Sequence, residues 1–546
     1  MIPLRVFGRW IVRQITRMSQ IDVSSLMDSV GRVFIIFLVL SGGIGLGAQE
    51  TELTRFRALL RRSSFPENDE TRRLFMEAIM APSFSTVEFE LNRQRSDGRL
   101  VWFEVRRALR EWYVIFRNQR GKVPREDYPL WGRGNWIIKK DLVTGSFVQA
   151  KVFLQDDKDS FVRIFPSKDG RSLLDIQLYG QRLGDDVLIP FSFEALMTAP
   201  FARIVELTEH TVAWELVFPD PGAIGYRYVE NLVGELSNYT ELIQEMDDAA
   251  IGEFGDNVFI ESGEAIFAGL PTSDGGSLVP GNTGLNCSGF VKWIVDGIYS
   301  AWKGKPGSFF LAIDDLRQPT PRLNRNPWGE SRSASGKDVR ENLQALLRDP
   351  MFGLDWNRNL GRIAEEARLG RTLTLEEIHA LEGSGLSGIP YQRDLGVRLE
   401  SLNAALYQLA ATRPGAIYLA AVNSRFLPAP TELHPNPLPL HQYWHVSILA
   451  PWFDDGEGGE RGMFRVAVLD VGDVSESLLS NPRTGRTPAF LSTIVRNAIR
   501  YARLGRDGEG KVLIPEVMMH LVRLEVPADF EACPLPETGR VTVSDF

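Results

Sequence analysis

"GLNCSGFVKWIVDGIY", residues 284–299, holds Cys287, one of two cysteines in a chain of 546 residues. Apolar side chains at Phe290, Val291, Ile294, Val295, Ile298 and Tyr299 recur at three- and four-residue spacing, which reads as one stripe of a helix. Asn286 is a good N-cap residue, so the helix starts at Cys287 and the sulfur lies in its first turn. Unpaired backbone amides and the positive end of the helix dipole favour a thiolate there. A cysteine so placed has its pKa lowered from about 8.5 to between roughly 3.5 and 7.5. The backbone amides of Cys287 and Ser288 can also donate to an oxyanion, so one helix end supplies both a nucleophile and a stabiliser of developing charge.

A thiol nucleophile needs a base, and the chain has six histidines, at 210, 379, 434, 441, 445 and 520. His445 enters the strand-like run "HVSIL", with Val446 and Ile448 on the face opposite His445 and Ser447. Asp470 ends "VAVLDVG", the next strand of a meander, where it can orient an imidazole. On its own, a strand histidine is a packed residue and an aspartate after a strand is a turn former. Combined with a cysteine at a helix start, they become a base and its orienter. A competing metal set would use His434, His441 and His445. On a strand the last two lie about 13 Å apart, too far to share a zinc ion without a bend. No metal or organic cofactor is expected.

"NCSGF" resembles the nucleophile motif of the NlpC-type cell-wall peptidases, a branch of the papain-like thiol hydrolases, and further pieces follow in order. "RPGAIYL" (413–419) resembles the Pro-Gly-Asp strand of that family, "WHVSIL" its His-Val-Gly-Ile strand, and "AVLDVG" falls at its third polar position. The resemblance covers residues 250–500 or so. It implies Cys287 as nucleophile, His445 as base and Asp470 as orienter. The fold it implies is an α+β, papain-like core with the cysteine helix packed on an antiparallel sheet. The activity it implies is cleavage of an amide bond in a peptidoglycan stem peptide or related peptide through a thioester. Three positions depart from the family pattern: Asp470 stands where histidine is usual, Ala416 where aspartate is expected, and Phe267 where a tyrosine commonly precedes the cysteine. The Cys–His–Asp order also resembles the transglutaminase-like branch, whose acyl acceptor would be an amine. A third reading is a binding module in which the papain-like fold has lost activity or has Cys287 bridged to Cys533.

Around this core, the length implies more than one domain. From 84 to 219 apolar residues alternate in runs such as "LVWFEVRR", "WYVIFRN", "SFVRIFP" and "TVAWELVFP", punctuated by "SDG" and "KDG" turns. The expected layout is a β-rich domain with leading helices over 49–220, a helical linker over 221–249 and the papain-fold domain over 250–546. A helical insertion occupies about 305–412, with "KDVRENLQALLRDP", "NRNLGRIAEEARLG", "TLTLEEIHALEG" and "DLGVRLESLNAALYQLAATRPG" as its helices.

A net charge of −9 leaves no cationic excess for phosphate neutralisation, so nucleic acid is not an expected partner. The apolar run "VFIIFLVLSGGIGLGA" (33–48) follows Arg32 and precedes "QETE". It is shorter than the roughly 20 residues that span a bilayer and reads as the core of a secretory signal over 1–48, with Met18 or Met27 as alternative starts. The expectation is an exported bacterial protein of the periplasm or cell envelope, associated with a membrane only if that segment stays uncleaved.

Overall fold

The computed structural model describes residues 68–87, 92–96, 99–118, 130–220, 222–322, 349, 351–383, 385–426, 440–454, 463–471, 473–477 and 517–538, which belong to one compact unit. The signal segment and nearly all of the helix expected from "KDVRENLQALLRDP" (337–350) lie outside them. Two short helices open the described chain, α1 (Asp69–Leu74) and α2 (Met76–Met80), with the Asn68 side chain accepting from Thr71 N.

A nine-stranded antiparallel sheet follows: β1 (Asn92–Ser96), β2 (Arg99–Arg107), β3 (Glu111–Asn118), β4 (Trp136–Asp141), β5 (Phe147–Phe153), β6 (Phe161–Pro166), β7 (Ser172–Leu178), β8 (Gln181–Arg182) and β9 (Val187–Ile189). Each strand through β8 pairs with the next, and β9 returns onto β7. Side chains alternate as the sequence alternates, so Trp112, Trp136, Ile138, Ala150, Val152 and Val162 are buried. Helices α3 (Phe193–Met197) and α4 (Phe201–Thr208) cap this core, Phe201 lying edge-on to Trp136 and Trp214.

The strand expected over 211–219 is absent, and Trp214–Leu216 form a 3-10 turn instead. Trp214 is buried, and its indole donates to Thr208 Oγ1 at 3.0 Å. Strand propensities differ by about 1 kcal/mol, whereas burying a large apolar side chain gains roughly 1.5–3 kcal/mol. Burial therefore outweighs the alternating pattern.

Helix α5 (Ile224–Leu236) then leads through a 3-10 turn to short strands β10 (Ile243–Glu245), β11 (Ala250–Ile251), β12 (Asn257–Val258) and β13 (Thr283–Leu285). After them come α6 (Cys287–Trp302), α7 (Ile313–Leu316), α8 (Phe352–Leu369), α9 (Leu375–Ala380) and α10 (Leu402–Thr412). The capping box expected at Thr374 and Glu377 opens α9, and Gly370 closes α8 in the left-handed conformation. The expected last insertion helix is shorter than its sequence pattern, because Val397–Arg398 pair as strand β14 before α10 begins.

A second antiparallel sheet of six strands has the order β14-β19-β15-β16-β17-β18, with β15 (Ala416–Phe426), β16 (Leu440–Asp454), β17 (Met463–Asp470), β18 (Asp473–Ser477) and β19 (Met518–Glu525). The protein is thus a mixed α+β structure with a curled sheet in its first half. Helices α6 and α8 pack on each other and on the second sheet. Residues of the two halves meet at Tyr407, which donates to Val217 O and packs edge-on to Tyr179.

Candidate active site

Strand β13 pairs in parallel with β10 and delivers the chain to Asn286, whose side chain accepts from Gly289 N at 2.7 Å. Asn286 N donates to Ala249 O, fixing the helix start against the 249–250 segment. Gly289 makes that approach possible, since a Cβ there would lie 2.1 Å from Ala249 O. Cys287 is the first residue of α6 and partly exposed. The cap occupies Gly289 N, and the amides of Cys287 and Ser288 have no preceding helical carbonyl to bond.

The sequence suggests an amphipathic helix, but α6 is buried nearly all round. Its polar face closes on itself: Lys292 Nζ lies 2.8 Å from Asp296 Oδ2, both fully buried, and Asp296 Oδ1 accepts from Leu311 N. Trp293 donates to Cys533 O, and Trp356 of α8 donates to Ser288 O at 3.1 Å. The helix end that carries the sulfur is therefore held by packing and hydrogen bonds on several sides.

His445 lies in β16 and Asp470 ends β17, its antiparallel neighbour. The His445 Nε2 to Asp470 Oδ2 distance is 2.8 Å, and Asp470 Oδ1 accepts from Val471 N. The imidazole and the Cys287 thiol are electrostatically coupled: His445 and the Val446 backbone favour the thiolate, and the sulfur in turn favours the charged imidazole. Cys287, His445 and Asp470 are thus brought together as a relay in which His445 bonds Asp470 and is electrostatically coupled to Cys287.

Burial alone would raise the Cys287 pKa, but the hydrogen bond and charge of His445, together with Val446 N–H, outweigh it and hold the thiol below its ordinary value. Burial would likewise discourage a charged imidazole. Asp470, by charge and hydrogen bond, and the Cys287 sulfur prevail, so His445 stays protonated well above its usual range. Both shifts run in the direction that favours a thiolate beside an imidazolium, with Asp470 bonded to the imidazole.

The other histidines lie elsewhere. His210 is exposed beside Glu209, His379 is in the last turn of α9, and His520 is buried beside Glu382. His434 and the side chain of His441 lie outside the described residues. Among the described residues no cluster of three or more His, Cys, Asp or Glu could hold a metal ion. Cys533 is buried and free, with Ser300 Oγ 3.8 Å from its sulfur. Ser300 is thirteen residues along α6 from Cys287, about 20 Å at 1.5 Å per residue, so a Cys287–Cys533 bridge does not fit this fold. Ala416 opens β15 as a buried residue, and Phe267 is half-exposed.

Two residues near the relay were not singled out in the sequence. Glu245, at the end of β10, carries an exposed carboxylate whose pKa is raised by partial desolvation and by Asp470 and is lowered by His445. Trp444 lies against the His445 ring, at 5.8 Å between centroids. Its only sequence signal is an aromatic residue directly before the histidine.

A family model described as a domain of unknown function (DUF8515) matches residues 61–216, the stretch that contains the nine-stranded sheet. The relay residues lie beyond that match. No curated protein and no solved structure matches the chain.

Proposed function

We propose that the protein is a cysteine-dependent hydrolase of an amide bond, with a papain-like disposition of helix and sheet in its second half. One observation carries this reading: His445 Nε2 lies 2.8 Å from Asp470 Oδ2, and the same imidazole and the Cys287 thiol each favour the other's charged form. The thiolate would attack the amide carbonyl carbon, and the amides of Cys287 and Ser288 would stabilise the resulting oxyanion. The His445 imidazolium would give its proton to the leaving amine as the C–N bond breaks, leaving a thioester. The neutral imidazole would then take a proton from water as it attacks, releasing a carboxylic acid and restoring the thiolate–imidazolium pair.

The resemblance of "NCSGF", "WHVSIL" and "AVLDVG" to the NlpC-type peptidases points to peptidoglycan stem peptides as substrate. The apolar run 33–48 points to export into the envelope where that substrate lies. The test is digestion of purified peptidoglycan fragments followed by mass analysis. Wild type should yield fragment pairs whose masses sum to parent plus one water, and Cys287→Ala should yield none. Undiminished cleavage by Cys287→Ala would end the proposal.

A further inference from the structure

The β15–β16 ladder is interrupted beside the relay. Val422 pairs with His445 but Asn423 pairs with Tyr443, so Trp444 is the extra residue of a bulge in β16. In an unbroken strand, consecutive side chains point to opposite faces. Here the rings of Trp444 and His445 are 5.8 Å apart at 34° between their planes, a contact that the extra residue makes possible. The indole is tethered as well: Trp444 Nε1 donates to Ser424 Oγ at 2.9 Å, and Ser424 is buried in β15.

We propose that Trp444 is a positioning residue for His445: displaced by the bulge and tied to Ser424, its indole holds the imidazole in line between Cys287 and Asp470. The inference rests on the relay reading of the preceding section and adds a residue to it. A tethered ring against the imidazole restricts its rotation, and an aromatic face within about 6 Å stabilises a cation. The titratable groups around the imidazole are Cys287, Asp470 and, less directly, Glu245.

The test is the rate at which iodoacetamide alkylates Cys287 in the full chain between about pH 5 and pH 10, where an ordinary thiol goes from protonated to ionised. At about pH 6, Trp444→Leu should lower the rate roughly tenfold, and Trp444→Phe and Ser424→Ala, which keep a ring or the indole but lose the tether, roughly threefold. All curves should converge with wild type at the alkaline end, where any accessible thiol is ionised. Ser424→Thr, which retains the hydroxyl, should restore the wild-type curve. A Trp444→Leu curve that superimposes on wild type, or lies below it equally at every pH, overturns the inference and leaves the relay standing. A wild-type curve with the midpoint of an ordinary thiol removes the relay itself, and this inference with it.

Discussion

His445 Nε2 and Asp470 Oδ2 lie 2.8 Å apart just beyond the last β16–β17 ladder pair, Ile448 with Leu469. The sheet thus brings the side chains together where the ladder's backbone pairing has ended. Both side chains keep about a quarter of their exposure, 22% and 24%, so the pair lies at a surface rather than in the core. An Asp470→Asn variant keeps the size and removes the charge. Without the charge His445 loses its main support as a cation, and turnover of a cleavable peptide should fall roughly 100-fold while the melting temperature barely moves. Steady-state rates and a thermal melt check both halves of that expectation.

The pH dependence follows from the two shifted groups. Cys287 is held below the ordinary thiol value, so the acid limb marks its deprotonation. His445 is held well above 6.5, so the alkaline limb marks loss of the imidazolium proton that the leaving amine needs. Between the limbs the ion pair is intact, and kcat/KM should trace a bell across neutral pH. In Asp470→Asn the alkaline limb should move to lower pH. A single rising limb with no alkaline fall would contradict the assignment of the imidazolium as acid.

The two cysteines should differ sharply as reagents. Burial pushes the Cys533 thiol up to about 12, with Asp296 adding to the rise. Native protein treated with limiting iodoacetamide near neutral pH should carry one label, and peptide mapping should place it on Cys287. Labelling of Cys533 first, or of neither thiol, would contradict the environments described here.

Gly289 offers a test of how the sulfur is held in place. A methyl group there must displace the Ala249 carbonyl or the helix start, so Gly289→Ala should cost about 1–3 kcal/mol as overpacking. Removing the cap with Asn286→Ala should cost about 1 kcal/mol. The glycine variant should also lose Cys287 reactivity, because the whole helix end shifts. Equilibrium denaturation together with thiol labelling distinguishes a displaced helix from a merely weakened one.

The placement of Cys287, His445 and Asp470 was legible because each has a local signature: an N-cap before the cysteine, alternation around His445, and an aspartate closing the next strand. The meander of the first sheet was legible for the same reason. The signal failed where a tertiary contact overrode a local pattern. Trp214 leaves its expected strand to fill the space beside Phe201, and Lys292 and Asp296 look like a solvated helix face but neutralise each other inside the protein. The bulge at Trp444 was invisible for a different reason: pairing register is a relation between two strands, and neither strand's sequence states it. Glu245 likewise approaches the relay only through the β10–β13 pairing.

The buried cluster around Arg358 bears on stability. Arg358 of α8 donates to Glu382 Oε1 and Asp394 Oδ1, both at 2.6 Å, and His520 Nε2 lies 3.1 Å from Glu382 Oε2. All four residues are buried, so removing the guanidinium strands two carboxylates in a low-dielectric interior. Arg358→Met should therefore cost about 3–5 kcal/mol. Burial would raise the Glu382 pKa, yet His520 and Arg358 outweigh it and depress the group to about 2. A carboxylate depressed in this way contributes stability that is fully present above its ordinary value of 4.5 and is lost as pH falls from there toward about 2. Acid unfolding of wild type should reflect that loss, and Arg358→Met should begin to unfold at a higher pH because part of the depression is gone. Parallel acid titrations followed by circular dichroism would show the shift. Coincident acid transitions would mean that the guanidinium does not set the Glu382 titration.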